Sequence, residues 1–183
     1  MADIEKYSFS FTAASLRLNN FRKVVEHMEN GTELDVTQEI GQGKSNTGKR
    51  IFAELKKRYE ALTPKQRQVF LDGDLSVQKQ IAFLAICKCY ALVRDFVIEV
   101  LREKTLVFDE QLSEGEFNSF IRYKSELHDE LNQITDKTLY KIKQVSFKFL
   151  EDADIIDSVA SKMIQPQMLD SQTISAIVEE NPN

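Results

Sequence analysis

The chain has 183 residues, 42% of them hydrophobic and 29% charged, with 24 Lys/Arg against 29 Asp/Glu for a formal net charge of −5. That apolar content supports a folded core, in one domain or two small ones packed together, and excludes a disordered or collagen-like chain. Two cysteines do not make a secreted disulfide scaffold, and the longest apolar run, 81–87, is far short of the ~20 residues that span a bilayer.

The first residues, MADIEKYSFSF, lack the basic and apolar regions of a signal peptide, so a cytoplasmic protein is expected. With only six glycines and three prolines, long stretches place apolar residues at helical spacing, and the fold class expected is mainly α. Residues 12–29 form the first expected helix, with Leu16, Val24, Val25 and Met28 along one side and Asn30-Gly31 as its stop. A short helix over 33–40 leads into a glycine turn at 41–44.

The stretch GQGKSNTGKR, 41–50, fills seven of the eight positions of a nucleotide-binding P-loop. The eighth should be a Ser or Thr that holds magnesium, and it is Arg50, which offers no lone pair. A P-loop also leaves a buried strand, and TELDVTQEI just upstream is half polar. The better reading is a turn before a helix over 45–61 that Ser45 or Asn46 caps. On it Ile51, Phe52, Leu55, Tyr59 and Leu62 share a roughly 100° sector that must be buried. Arg50 and Lys57 point nearly the opposite way, flanked by Lys49 and Lys56.

Local charge qualifies the acidic total. Between 44 and 67 there are eight basic residues against two acidic ones. A short helix, a glycine turn and a helix with polar and basic residues in its first turn make a helix-turn-helix arrangement. The first-turn N–H groups, Lys44, Lys49 and Arg50 would then meet phosphates and base edges of double-stranded DNA, with Asn46 and Thr47 able to hydrogen-bond either. An ordinary amphipathic helix with a solvated basic face has the same pattern.

Thr63-Pro64 starts the next helix and Asp72-Gly73 ends it. Residues 76–104 are apolar nearly all round and predict one long central buried helix. Cys87 and Cys89 lie within it and read as reduced packing residues. A helix over 113–131 opens with Ser113 and Glu116 at capping-box spacing. Another, opened by Thr135 or Asp136, runs to 150, burying Leu139, Ile142, Phe149 and Leu150 and turning Lys137, Lys141 and Lys148 outward as a second basic stripe. Ile155-Ile156 and 162–165 could pair as a hairpin, which after a helix would make a wing. A short helix near 171–179 and a frayed 180–183 close the chain.

Nothing marks catalysis, a metal site, a cofactor or a small-molecule pocket. His27 and His128 sit in polar helical surroundings without a placed nucleophile and read as solvated histidines. Glu151, Asp152, Asp154 and Asp157 lack the spacing of a calcium loop and read as a solvated acidic corner. The domain division expected is a helix-turn-helix-like part at 1–74 and a winged-helix-like part at 75–183.

The order of YSFSFTAASLRLNNFRKVVEHMENG, SNTGKRIFAELKKRYEAL, LDGDLSVQKQIAFLAICKCYALVRDFVIEVLREK, FLEDADIID and MIQPQML resembles the BrxA family of bacteriophage exclusion (BREX) defence systems. The resemblance implies a helical, non-enzymatic accessory protein with helix-turn-helix and winged-helix-like parts, which binds DNA alongside other BREX subunits. The S-x-T-x-x-R pattern carries over to Ser45, Thr47 and Arg50. Two functions remain open: DNA binding through the basic helix, or an adaptor that docks another BREX subunit without touching DNA.

Overall fold

A computed structural model of the chain describes residues 5–179. As expected, the described residues are mainly α, with ten α-helices and no strand. They fall into two compact units that interleave along the sequence: Ala13–Cys89 joins the residues from Gln167 onward, and Tyr90–Pro166 joins those up to Thr12. This differs from the division at 74/75 read from the sequence. The central change of unit falls at Cys89/Tyr90, where no glycine or proline announces it.

The first unit holds α1 (Leu18–Asn30), α2 (Ser45–Ala61), α3 (Pro64–Asp72), α4 (Leu75–Cys89) and, from the far end of the chain, α10 (Ser171–Val178). Phe21, Val24, Val25, Leu55, Phe70, Ile81 and Ile86 build its core, with Phe21 and Phe70 edge to face at 5.1 Å. Of the face expected to be buried on α2, Ile51, Leu55, Tyr59 and Leu62 are inside, and Phe52 is half exposed beside His27. The first helix starts at Leu18, later than expected, because residues 14–17 run without regular structure and Arg17 takes a left-handed φ of 47°. The carbonyls left over there are met by Arg58, which is only 1% exposed and donates to Ala14 at 2.7 Å and Ser15 at 2.8 Å. Thr63 and Gln66 form a full capping box on α3, and the Gln66 amide also donates to the Ala176 carbonyl of α10.

The second unit holds a 3-10 turn (Ser10–Ala13), α5 (Ala91–Phe96), a π turn (Val97–Leu101), α6 (Arg102–Leu106), α7 (Glu114–Lys124), α8 (Asp129–Asn132) and α9 (Asp136–Asp152). Phe96, Phe117, Phe120 and Phe147 cluster at its centre, with Phe96 5.0 Å from Phe117 and 5.3 Å from Phe120. The single central helix expected over 76–104 is three helices and a π turn. Tyr90 breaks it, extended at φ −131° and fully buried, its ring 5.2 Å from Phe11. Burial of one aromatic ring thus overrides a strong helical pattern.

The helix expected over 113–131 also breaks, after Lys124, whose carbonyl accepts from both Leu127 and His128. His128 is a correction to the solvated reading: it is 6% exposed, stacked 3.7 Å from the Tyr7 ring and paired with Glu130 at 3.0 Å. The Tyr7 hydroxyl donates to Asp95, and burial together with that carboxylate pushes the phenol well above its ordinary range.

The expected hairpin is reduced to isolated antiparallel bridges, Ile156 to Ile164 and Gln111 to Met163. Its connection is organised by Asp157, which accepts from the backbone N–H groups of Ser158 and Met163 and from the Ser161 hydroxyl, so side-chain bonds supplement the two backbone bonds from the Asp157 N–H to Met163 and from the Gln165 N–H to Ile155. Glu151 likewise accepts from the Val159 N–H. These two members of the acidic corner are therefore structural, and both carboxyls are held below their usual range, Glu151 by Lys148 first and Asp157 by Ser161 first. Residues 180–183, expected to fray, lie outside the described residues.

Candidate nucleic-acid interface

The basic turn is built by a close backbone approach. Val36–Ile40 forms one π turn, started by Asp35, whose carboxylate accepts from the Thr37 and Gln38 N–H groups. The chain then reverses through Gly43, at φ +81°, into α2. A Cβ on Gly48 would lie 2.5 Å from the Val36 carbonyl oxygen, and one on Gly41 would lie 2.8 Å from the Gly48 backbone. The glycines that mimic a P-loop are accounted for by turn conformation and by this approach. Nothing in the pattern 43–49 pointed to Gly41, whose spacing of seven from Gly48 was the readable signal.

The helix expected to be capped by Ser45 or Asn46 is not. Lys44 occupies the N-cap position, extended at φ −103°, and makes no side-chain cap bond, because an ammonium group has no lone pair with which to accept an N–H; its own backbone N–H donates to the Gly41 carbonyl. Its carbonyl takes the Gly48 N–H, so the N–H groups of Ser45, Asn46 and Thr47 have no acceptor among the described residues. α1, α5 and α8 likewise start without a side-chain cap, whereas α3, α7, α9 and α10 start with one. Lys44, Ser45, Asn46, Thr47, Lys49 and Arg50 are all exposed. Three free donors at the positive end of a 17-residue helix, with three cations around them, form a surface shaped for an anion.

The structure thins the eight-cation window of 44–67. Arg58 is buried as described. Lys65 pairs with Glu179 at 2.7 Å, and Arg67 pairs with Glu29 at 3.0 Å while stacking on Tyr59 at 4.2 Å. Lys56 faces Glu60 at 3.7 Å, and Lys57 is half buried. Lys44, Lys49 and Arg50 make no ion pair with any described residue, so the uncompensated charge sits at the helix start.

The second stripe is exposed as expected at Lys137, Lys141 and Lys148. Its charge is partly spoken for. Lys148 donates to Glu151 and lies 2.8 Å from Asp152, which raises its pKa, and Lys143 pairs with Glu114 at 2.7 Å. Lys137 and Lys141 remain unpaired among the described residues, but α9 begins with Asp136, and the Thr138 N–H of its first turn donates to the Thr135 hydroxyl. No group of His, Cys, Asp and Glu among the described residues could hold a metal, and no helix among them is long and apolar enough to cross a membrane.

Known proteins resemble this chain over part or most of its length. A BREX protein BrxA of Escherichia coli O9:H4 (strain HS) is 26% identical over 128 residues, 70% of this chain and 60% of the relative. A second BREX protein BrxA, from Bacillus cereus (strain H3081.97), is 32% identical over 81 residues, 44% of this chain and 40% of that one. These matches thus span less than two thirds of either relative. A crystal structure of an uncharacterized protein from Magnetospirillum magneticum shares the fold, with a TM-score of 0.82 at 20% identity, covering 97% of this chain and 95% of that one. The BrxA family pattern itself runs from residue 5 to residue 181, nearly end to end, and the chain belongs to the BrxA family.

Proposed function

We propose that this chain is a non-enzymatic, cytoplasmic DNA-binding accessory protein of a BREX-type phage-defence system, and that it holds duplex DNA by the start of α2. The observation that carries the reading is the conjunction of Lys44, Lys49 and Arg50, without counter-charges, and the free N–H groups of Ser45, Asn46 and Thr47. Phosphate oxygens satisfy both kinds of donor at once. Asn46 and Thr47 add neutral donors and acceptors that reach sugar or base edges. The π turn at Val36–Ile40 followed by α2 supplies a helix-turn-helix-like presentation.

Affinity in this reading comes chiefly from counterion release, so the logarithm of the binding constant falls with log salt at about 0.9 per phosphate neutralised. The test is fluorescence anisotropy of a 30-base-pair duplex at several salt concentrations, with the wild type and Lys49→Glu/Arg50→Glu compared at unchanged helicity. The reading expects salt-sensitive binding that weakens tenfold or more in the variant, with a salt slope shallower by about two. Absence of wild-type binding at low salt would overturn it in favour of an adaptor that docks another BREX subunit.

A further inference from the structure

The segment leaving α6 carries three consecutive apolar side chains into water: Leu106 is 59% exposed, Val107 71% and Phe108 90%. Single exposed apolar residues are ordinary on a folded protein, whereas a contiguous run marks a surface with a partner. The run is also fixed in place. Phe108 has a φ of 58°, a left-handed conformation that an aromatic residue adopts only where its surroundings impose it. Lys104, 8% exposed, donates to both Asp109 and Glu116. Its carbonyl accepts from the N–H groups of Val107 and Asp109, and the Thr105 carbonyl takes the N–H of Phe108. A buried lysine shared by two carboxylates is an expensive way to gain stability. Its effect here is to clamp the turn that lifts Phe108 off the surface.

We propose that Leu106, Val107 and Phe108 form a docking knob for another protein, seated in an apolar pocket whose rim carries lysine or arginine. The rim follows from charge complementarity: Glu103 is matched by Arg102, but Lys104 is one cation shared by the carboxylates of Asp109 and Glu116, and exposed Glu110 makes no ion pair with a described residue, so negative charge is left over beside the knob. Those carboxylates repel phosphate, which argues against DNA as the occupant. A second copy of this chain is a poor match as well. The groove beside the knob, about 520 Å³, is lined by Glu99, Glu103 and Glu116, against the single cation Lys104, together with Val100, Phe120 and Tyr123, so an excess of like charge would meet. The knob lies in the unit that does not contain α2, and the inference stands whether or not α2 binds DNA.

The test places the photo-crosslinker p-benzoylphenylalanine at position 108 of the full chain in its native host, with Arg122 as the control position. The expected result is a product at 108 and none at 122, with one protein whose cross-linked peptide borders Lys or Arg. That protein, purified, should bind Phe108→Ser at least about tenfold more weakly than wild type, and Glu110→Lys more weakly by a smaller factor. Duplex affinity and melting temperature should not change in either variant. Cross-linking to a second copy, a fall in duplex affinity with Phe108→Ser, equal binding of wild type and Phe108→Ser, or no product at 108 would each overturn the proposal.

Discussion

Helices α2 and α9 are both 17 residues long, both bury one face, and both turn lysines outward, yet their electrostatic settings are opposed. At the start of α2 the cations make no ion pair and the first N–H groups find no acceptor among the described residues. On α9 the first turn is capped by Thr135 and carries Asp136, while Lys143 and Lys148 are committed to Glu114, Glu151 and Asp152. The units that hold them differ in the same sense: the sequence of the α2 unit has 13 basic against 12 acidic residues, and that of the α9 unit 11 against 17. A stripe of lysines therefore has no fixed meaning. What attracts a polyanion is charge left over after the protein's own partners are counted.

The sharpest way to break this contrast is to remove what holds α2 in position. Arg58→Ala leaves the Ala14 and Ser15 carbonyls without their donor and opens space in the core, and should lower stability by about 3 kcal/mol in urea unfolding. Gly48→Ala pushes a methyl group into the Val36 carbonyl and should cost about 1–3 kcal/mol while displacing the turn, so duplex affinity falls with it. Were Gly48→Ala to bind DNA as wild type does, the close approach would be irrelevant to the surface. Lys137→Glu/Lys141→Glu in anisotropy sharpens the contrast from the other side. It should change affinity less than about threefold, against tenfold or more for Lys49→Glu/Arg50→Glu, and a reversed ranking would move the site to α9.

The smallest effect is expected at Lys148. Because its side chain is 48% exposed, screening limits the pair, and Lys148→Ala should cost no more than about 0.5 kcal/mol at neutral pH with no change in duplex affinity. The sign with pH follows from Glu151, whose folded pKa is lowered by Lys148. Its contribution is present above the unfolded value of about 4.3 and is lost as pH falls through the lower folded value, so the wild type and Lys148→Ala should converge in acid.

Much of the fold could be read from sequence because its signals are local. Thr63-Pro64, Ser113 with Glu116, Asn30-Gly31 and the apolar face of α2, apart from Phe52, do in the structure what their spacing implied. The misreadings share a cause in long-range burial. Tyr90 and His128 interrupt helical patterns because their rings dock on Phe11 and Tyr7, residues some 80 to 120 positions earlier. Arg58 looked like part of a basic face until the carbonyls of Ala14 and Ser15, 44 and 43 residues away, claimed it. At the candidate interface the sequence pointed to the start of α2 through its polar and basic first turn. It did not reveal that this turn is uncapped, since Ser45 looks like a cap and stands one position too late. Nor could it separate the two lysine stripes, whose difference lies in carboxylates brought in from neighbouring turns and helices.

The central claim is that phosphates meet the free N–H groups at the start of α2, and amide NMR reads those groups directly. In a titration of the 15N-labelled full chain with a 12-base-pair duplex, the amides of Ser45, Asn46 and Thr47 should shift most and exchange more slowly with solvent in the complex. Amides of Lys137 to Lys141 should stay nearly unmoved. Largest shifts along the start of α9, with those of Ser45 to Thr47 unchanged, would contradict the account.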